Sequence, residues 1–171
     1  TPFINYLLYL YPPRFVQLGI GGIWLGITLS LGSLAGFFTS KYAHLGEKYL
    51  GVRKTVLIAT ITPGLLYLAL SFITNSVATI ILVVTAIGAM QLRKPIFLDY
   101  VNRHVASDIR ATSLSIVSMI TGLYVAGMGV LIGVLADYNI SYAFVFMGSL
   151  IILGALFIRI DKTHTQGTQV D

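Results

Sequence analysis

Histidine and cysteine, common donors of catalytic and metal-binding groups, do not form a site in this 171-residue sequence. His44, His104 and His164 lie in separate polar segments, without the paired spacing on one helix that a metal ion requires. Cysteine is absent, which excludes thiolate zinc sites, iron–sulfur clusters, disulfides and cysteine nucleophiles. The sequence therefore predicts neither a metal site nor a cofactor.

Three serines, Ser113, Ser115 and Ser118, lie close together, but their surroundings do not suit catalysis. The run 111–136 that contains them has no histidine, lysine or aspartate to activate a hydroxyl. Serines inside helices usually bond to a backbone carbonyl of the preceding turn. Glycine-rich phosphate loops of the nucleotide-binding type are missing as well. We therefore expect that the protein is not an enzyme.

A different kind of chemistry is open to uncharged polar side chains in the middle of apolar runs. Such groups can orient a substrate in a mostly apolar cavity, or they can form ordinary bonds between helices. The candidates for a substrate cavity are Trp24, Thr28, Thr85, Gln91 and Tyr124.

The composition indicates which elements position these residues. Hydrophobic residues make up 56% of the chain and charged residues 10%, against about 25% charged in a typical soluble domain. The net charge of +5 does not indicate nucleic acid, because the basic residues form short clusters between apolar runs rather than one solvated face. The sequence predicts an integral membrane protein.

Charge-free runs cover residues 15–40, 55–92, 111–136 and 140–158. A membrane helix needs roughly 20 apolar residues, so the second run is long enough for two helices. Small polar residues at 74–76 provide the turn between them. The predicted fold is an all-α integral membrane protein with five full transmembrane helices and a partial helix at its N-terminus.

The predicted organisation has three parts. Residues 1–13 are the outer end of a truncated helix and a loop, and Pro12 and Pro13 are expected to end the helix. Residues 14–160 form the five-helix membrane bundle, and residues 161–171 form a polar cytoplasmic tail. The threonine at position 1 leads us to expect a fragment of a longer protein.

Lysines and arginines indicate the orientation, because loops that are rich in them stay in the cytoplasm. Five alternating spans place all lysines and arginines except Arg14 on one face. The charged residues on the other face are Arg14 and Asp137. We therefore expect a multi-pass protein of the cell membrane with a cytoplasmic C-terminus. The basic residues that share the predicted cytoplasmic face are Lys41, Lys48, Arg53, Lys54, Arg93, Lys94, Arg103 and Arg110, followed by those of the tail.

Polar residues after the third span are candidates for a cytoplasmic gate. Asp99 and Arg103 have the four-residue spacing of an ion pair on a helix. They form either a gate or a solvated helix end. The full set of gate candidates is Arg93, Asp99, Tyr100, Asn102, Arg103 and Arg110.

Small residues four positions apart predict close helix packing, because they let two backbones approach in the bilayer. Pro63 and Gly64 further predict a bend near the middle of the second span. The small-residue pairs are Gly22 with Gly26 and Gly32 with Gly36 on the first span, and Gly122 with Ala126 and Gly129 with Gly133 on the fourth.

Several segments resemble the C-terminal half of a major facilitator superfamily transporter, of the bacterial drug-efflux-like kind. From Gln91 the chain reads QLRKPIFLDYVNRHVASDIRATSLS, which resembles helix ten, a short loop and the start of helix eleven. From Gly36 it reads GFFTSKYAHLGEKYLGVRKTVLIA, similar to the connection from helix eight to helix nine. From Gly129 it reads GVLIGVLADYNISYAFVFMGSL, similar to the turn between the last two helices.

The resemblance implies that the chain contains family helices eight to twelve and the outer end of helix seven. Family members have two six-helix bundles that alternate around a central site for a small molecule. The resemblance therefore implies a secondary transporter in a lipid bilayer, whose missing partner is the N-terminal six-helix half, and a fragment that does not transport alone. It also implies that the helices with the cavity candidates line that site. The alternatives are a small oligomeric membrane subunit, a channel-like protein and a membrane-embedded enzyme.

Overall fold

The computed structural model describes residues 2–42, 49, 51–92 and 107–157, and these residues contain six α-helices and no strand. The all-helical class predicted from the sequence is confirmed. The helices are α1 (Pro2–Gln17), α2 (Ile23–Lys41), α3 (Val52–Phe72), α4 (Ser76–Gln91), α5 (Ser107–Tyr138) and α6 (Ile140–Phe157).

The prediction that Pro12 and Pro13 end the first helix is wrong, because α1 continues through both prolines to Gln17. Its end has a Schellman arrangement around Gly19, which has a positive φ of 66°. The N–H of Ile20 bonds to the carbonyl of Phe15 at 2.9 Å. Residues 15–17, expected in the first full span, therefore belong to α1, and α2 begins at Ile23.

The turn predicted at 74–76 is confirmed one residue earlier, and a one-residue turn joins the last two helices. Residues 73–75 separate α3 from α4, and the Asn75 side chain accepts a hydrogen bond from the Ala78 N–H at 3.0 Å. Asn139 alone separates α5 from α6, and its side chain accepts from the N–H of Ser141 at 2.9 Å. Both asparagines thus satisfy amides at the start of the next helix.

Contacts between neighbouring helices fix the direction in which each helix runs. Gly32 faces Ile87 and Gly36 faces Gln91, so α2 and α4 are parallel. Likewise, Arg14 in the last turn of α1 bonds to Ile73 just after α3. The C-terminal ends of α1 and α3 therefore lie together, and the two helices are parallel.

Helix α6 runs opposite to α3, because Gly148 lies against Leu68 while Gly64 lies against Ile151 and Ile152. The helices therefore alternate in direction along the chain. The connections at 18–22, 73–75 and 139 share one end of the bundle, and the opposite end contains Lys41 and the starts of α3 and α5.

Glycines permit the closest helix crossings. A Cβ on Gly148 would lie 2.8 Å from the Gly64 carbonyl oxygen, so α3 and α6 are in backbone contact beside Pro63. Gly32 and Gly36 are equally close to α4. The predicted packing is therefore found at one of the two pairs on α2. A Cβ at Gly22 or Gly26, or at Gly122, Gly129 or Gly133 of α5, would meet nothing within 4 Å.

Helix α1 supplies several side chains to the core of the bundle. Its buried side chains include Leu7, Leu10 and Phe15, and it contacts α4, α5 and α6. A segment expected to be the outer end of a truncated helix thus supplies part of the core.

Two helices in the described part of the chain are long and apolar enough to cross a membrane, Ile23–Lys41 and Ile109–Tyr138. Only 17% and 6% of their most apolar windows are buried inside the structure, whereas the apolar helix of a soluble core is mostly buried. The remaining predicted spans are shorter apolar helices, so five full crossings stay a prediction for them. These shorter helices are Leu57–Phe72, Ser76–Gln91 and Ile140–Leu156.

Candidate functional site

The structure does not bring the five cavity candidates together. Trp24 on α2 is 43% exposed, whereas Thr28, one turn further along the same helix, is fully buried. Thr85 on α4 is exposed, and its hydroxyl donates to the Ile81 carbonyl at 2.8 Å. Gln91 and Tyr124 are half-buried. Trp24 and Thr85 therefore face outward, and Thr28 faces into the bundle.

Gln91 lies in the α2–α4 crossing rather than in an open cavity. Its Cγ would be 2.7 Å from a Cβ built on Gly36, and its backbone carbonyl accepts from the Ser40 hydroxyl at 3.3 Å. The side chain fills the space that the glycine leaves at this end of the helix pair. Its role in the described structure is to pack two helices together.

The Thr28 hydroxyl has no hydrogen-bond partner and is fully buried. Other threonines of the bundle donate to the carbonyl one turn earlier, as Thr79 does to Asn75 at 2.9 Å. A buried hydroxyl without a partner destabilises the fold unless another group binds it. Thr28 is therefore the cavity candidate whose hydroxyl is buried without a hydrogen-bond partner.

Tyrosines on α1 connect the bundle, although the sequence analysis did not select them. The Tyr6 hydroxyl donates to the carbonyls of Val125 at 2.8 Å and Tyr124 at 3.3 Å on α5. The Tyr11 hydroxyl donates to the Leu25 carbonyl on α2 at 3.3 Å. The signal was present in the sequence, since tyrosines in a short apolar segment need partners for their hydroxyl groups when buried.

Tyr124 belongs to a group of aromatic residues from four helices. Tyr6, Tyr67 on α3 and Phe144 on α6 belong to the core cluster on which Tyr124 packs, and the ring centroids of Tyr67 and Phe144 lie 6.0 Å apart. Aromatic rings at such distances attract each other beyond simple burial. Tyr124 is the one cavity candidate that the structure places beside other aromatic side chains of the core.

Arg14 is the charged residue that the bundle buries, with 6% of its surface exposed. Its Nη2 donates to the Ile73 carbonyl at 3.0 Å, and its Nη1 to Gln17 Oε1 at 3.3 Å. Both acceptors are uncharged. The carboxyl ends of α1 and α3 lie at this end of the bundle, and the partial negative charge of helix C-termini stabilises a cation there.

Most gate candidates lie outside the described residues, namely Arg93, Asp99, Tyr100, Asn102 and Arg103. Arg110 lies near the start of α5 and is half-buried. The gate therefore stays a prediction. No group of three or more histidine, aspartate or glutamate side chains comes together within the described ranges.

Comparison with known proteins identifies no relative. No protein-family model matches the chain, and neither the curated proteins nor the solved structures include a match.

Proposed function

We propose that this chain is the C-terminal half of a secondary active transporter of the major facilitator type. In this proposal the complete protein moves small molecules across the cell membrane by alternating access, and the chain shown crosses the membrane five times. The sequence resemblance motivates the proposal, and the pattern of helix contacts is the observation that supports it.

The list of helix pairs in contact, although not the extent of each contact, is nearly unchanged when the first three helices are exchanged with the last three. The exchange replaces α1 with α4, α2 with α5 and α3 with α6. It turns the α2–α4 contact into the α1–α5 contact, and both contacts are present. It turns the α3–α4 contact into the α1–α6 contact, and both of these are present as well. The α1–α4 and α3–α6 contacts map onto themselves. Only α5–α6 has no substantial counterpart.

This exchange corresponds to an inverted repeat. Because the helices alternate in direction, a unit of three helices and the unit that follows it run in opposite directions. Two inverted units of three form each half of transporters of this type. A small oligomeric subunit or an enzyme does not require such a repeat.

The surface supports a membrane location with the basic end in the cytoplasm. Large apolar side chains are exposed along α2 and α5, far more than a soluble monomer tolerates in one patch. Lys41, Lys54 and Arg110 lie at one end of the bundle, as expected if that end is cytoplasmic. The C-terminal tail then belongs to the same side.

The outward faces of α2 and α5 fit contact with a second bundle. Both carry exposed small residues at helical spacing, which allow a neighbouring helix to approach closely. Helices α2 and α5 occupy equivalent positions in the two three-helix units. A partner bundle with the same repeat therefore contacts both of them. On α2 these residues are Gly22, Gly26, Ser30 and Ser33, and on α5 they are Ser115, Ser118, Gly122 and Ala126.

Trp24 and Tyr124 are the substrate contacts that we favour. Trp24 is exposed on α2, and Tyr124 is half-buried on α5. Neutral, aromatic contacts favour an apolar or aromatic substrate over a phosphate. The gate candidates, including Arg110, belong to the cytoplasmic end.

The test is transport by the full-length gene product in liposomes, using a lipophilic aromatic dye and an imposed proton gradient. We expect saturable flux from the full-length protein and none from the isolated chain. Trp24→Ala and Tyr124→Phe should raise KM about tenfold, which is the loss expected for one or two good contacts. Tyr138→Phe is the matched control, because Tyr138 ends the same helix and is 81% exposed. Saturable flux from the isolated chain contradicts the proposal.

A small oligomeric subunit is the second candidate, and the open glycines of α5 favour it. Because a Cβ at Gly122, Gly129 or Gly133 would meet nothing within 4 Å, there is room for copies of the chain to pack through this helix. The molecular mass in detergent distinguishes the two functions. A stable, stoichiometric oligomer of the isolated chain supports the subunit, and a monomer that binds its N-terminal half supports the transporter.

A further inference from the structure

Helix α5 packs on the apolar core through its second half. Core contacts begin at Tyr124 and Val125 and continue through Ile132 to Ala136, and none of the described side chains of 109–123 belongs to the core cluster. The helix has 32 residues, so the part before Tyr124 is about 25 Å long. A long arm of α5 therefore precedes its first contact with the apolar core.

Glycines flank the place where the attachment begins. Gly122 precedes Tyr124 by two residues and Gly127 follows Val125 by two, and a Cβ at either position would meet nothing within 4 Å. Glycine lowers the stability of a helix because it gains the most backbone freedom when the helix loosens. This is the segment of α5 where a change of direction costs least and where no neighbour blocks it.

The Tyr6 hydroxyl bonds to α5 at this same place. It is shared between the carbonyls of Val125 at 2.8 Å and Tyr124 at 3.3 Å. A side chain that bonds to helix carbonyls competes with the helix's own amides, and this is one of the recognised causes of helix kinks. Tyr6 itself is 2% exposed, so the hydroxyl is held firmly by the core.

We propose that α5 bends between Gly122 and Gly127, and that the Tyr6 hydroxyl sets the angle of the bend by fixing the Tyr124 and Val125 carbonyls. The arm from Ser107 to Thr121 then moves relative to the bundle, while the half of α5 that packs on α6 stays in place. The inference concerns the motion of this helix and does not depend on which molecule, if any, the protein transports.

Electron–electron distance measurements test the bend in the full chain in lipid nanodiscs. The natural sequence has no cysteine, so spin labels attach only where a cysteine is introduced. One labelled pair, Thr112→Cys with Lys54→Cys, joins the arm to α3 at the basic end. The second pair, Thr74→Cys with Asp137→Cys, joins the ends of α3 and α5 on the far side. All four positions are exposed.

Tyr6→Phe should broaden the distances of the arm pair and leave the far pair unchanged. A change of about 20° at the glycines moves position 112 by about 6 Å, since the label lies about 18 Å from Tyr124 along the helix. Tyr11→Phe is the matched control, because Tyr11 is also a buried tyrosine of α1 but donates to α2. It should leave both pairs unchanged.

A second variant tests the glycines in a chain that keeps Tyr6. Gly122→Ala with Gly127→Ala should narrow the distances of the arm pair, because both side chains fit in open space and stiffen the helix. The proposal is overturned if Tyr6→Phe leaves the arm pair unchanged, if it broadens both pairs equally, or if Tyr11→Phe broadens the arm pair as much. It is also overturned if the two alanines have no effect.

Discussion

The guanidinium of Arg14 donates a hydrogen bond of 3.0 Å to the backbone carbonyl of Ile73, and this bond ties the end of α1 to the end of α3. Ile73 is the residue after the last turn of α3, where carbonyls have no partner within their own helix. The Ser76 hydroxyl donates in the other direction, to the Leu18 carbonyl at 3.4 Å. The Arg14 and Ser76 side chains thus donate hydrogen bonds to backbone carbonyls at the C-terminal ends of α3 and α1, respectively.

Replacing Arg14 with leucine should destabilise the bundle by about 1.5–3 kcal/mol, since a hydrogen bond from a charged group is lost and a buried carbonyl is left without a donor. Arg14→Lys should recover part of the loss, because it keeps the charge at the helix ends but not both bonds. Denaturant unfolding in detergent micelles measures both. Lys54→Ala, an exposed cation at the opposite end, is the control and should change stability by less than about 0.5 kcal/mol. An equal effect of Arg14→Leu and Lys54→Ala would refute the assignment.

Gly148→Ala should separate α3 from α6. The new methyl group would lie 2.8 Å from the Gly64 carbonyl oxygen and 2.8 Å from Leu68 Cγ, and backbone cannot yield as a flexible side chain does. We expect a loss of about 1–3 kcal/mol, measured as the free energy of unfolding in micelles. Gly154→Ala on the same helix is the matched control, because nothing lies within 4 Å of its new Cβ. Equal stability of the two variants would show that this crossing is not tight.

Helix boundaries could be predicted from the sequence where polar turn residues mark them, as at Asn75 and Asn139. The end of α1 could not be predicted from its prolines. Prolines are tolerated inside membrane helices, and Arg14 and Phe15 beyond them are both buried in the bundle, so continuing the helix gains packing and hydrogen bonds. The structural stop is Gly19, whose positive φ completes the Schellman arrangement.

The direction in which each side chain points was harder to predict than the helices themselves. In a soluble helix the polar face indicates which side is exposed, but here both the exposed and the core-facing sides of the helices are apolar. The position of a side chain along its helix could be estimated from the sequence. The direction in which it points around the helix axis could not. Trp24 and Thr28 were therefore placed in one cavity, although the structure exposes the first and buries the second.

Thr28 and Thr79 should respond in opposite directions to the same substitution. Both are fully buried, but only Thr79 donates a bond, to the Asn75 carbonyl at 2.9 Å. Thr79→Val should cost about 1 kcal/mol. Thr28→Val should be neutral or stabilising by up to about 1 kcal/mol, because it removes a hydroxyl without a partner. Unfolding of the two variants side by side measures the difference. A loss at Thr28 as large as that at Thr79 would show that its hydroxyl binds a partner in the membrane.

Single cysteines should label from opposite sides of the membrane according to the end of the bundle on which they lie. Because the helices alternate in direction, Lys54→Cys and Thr112→Cys share the basic end, and Thr74→Cys and Asp137→Cys share the other. A membrane-impermeant maleimide should modify the second pair in intact cells, and the first pair only after the membrane is permeabilised. The natural sequence contains no cysteine, so the unsubstituted chain gives the background. Because the two members of each pair lie on different helices, they test the threading independently. If Lys54→Cys and Thr112→Cys were labelled from different sides, an odd number of crossings between them would contradict both the alternating arrangement and the inverted repeat that depends on it.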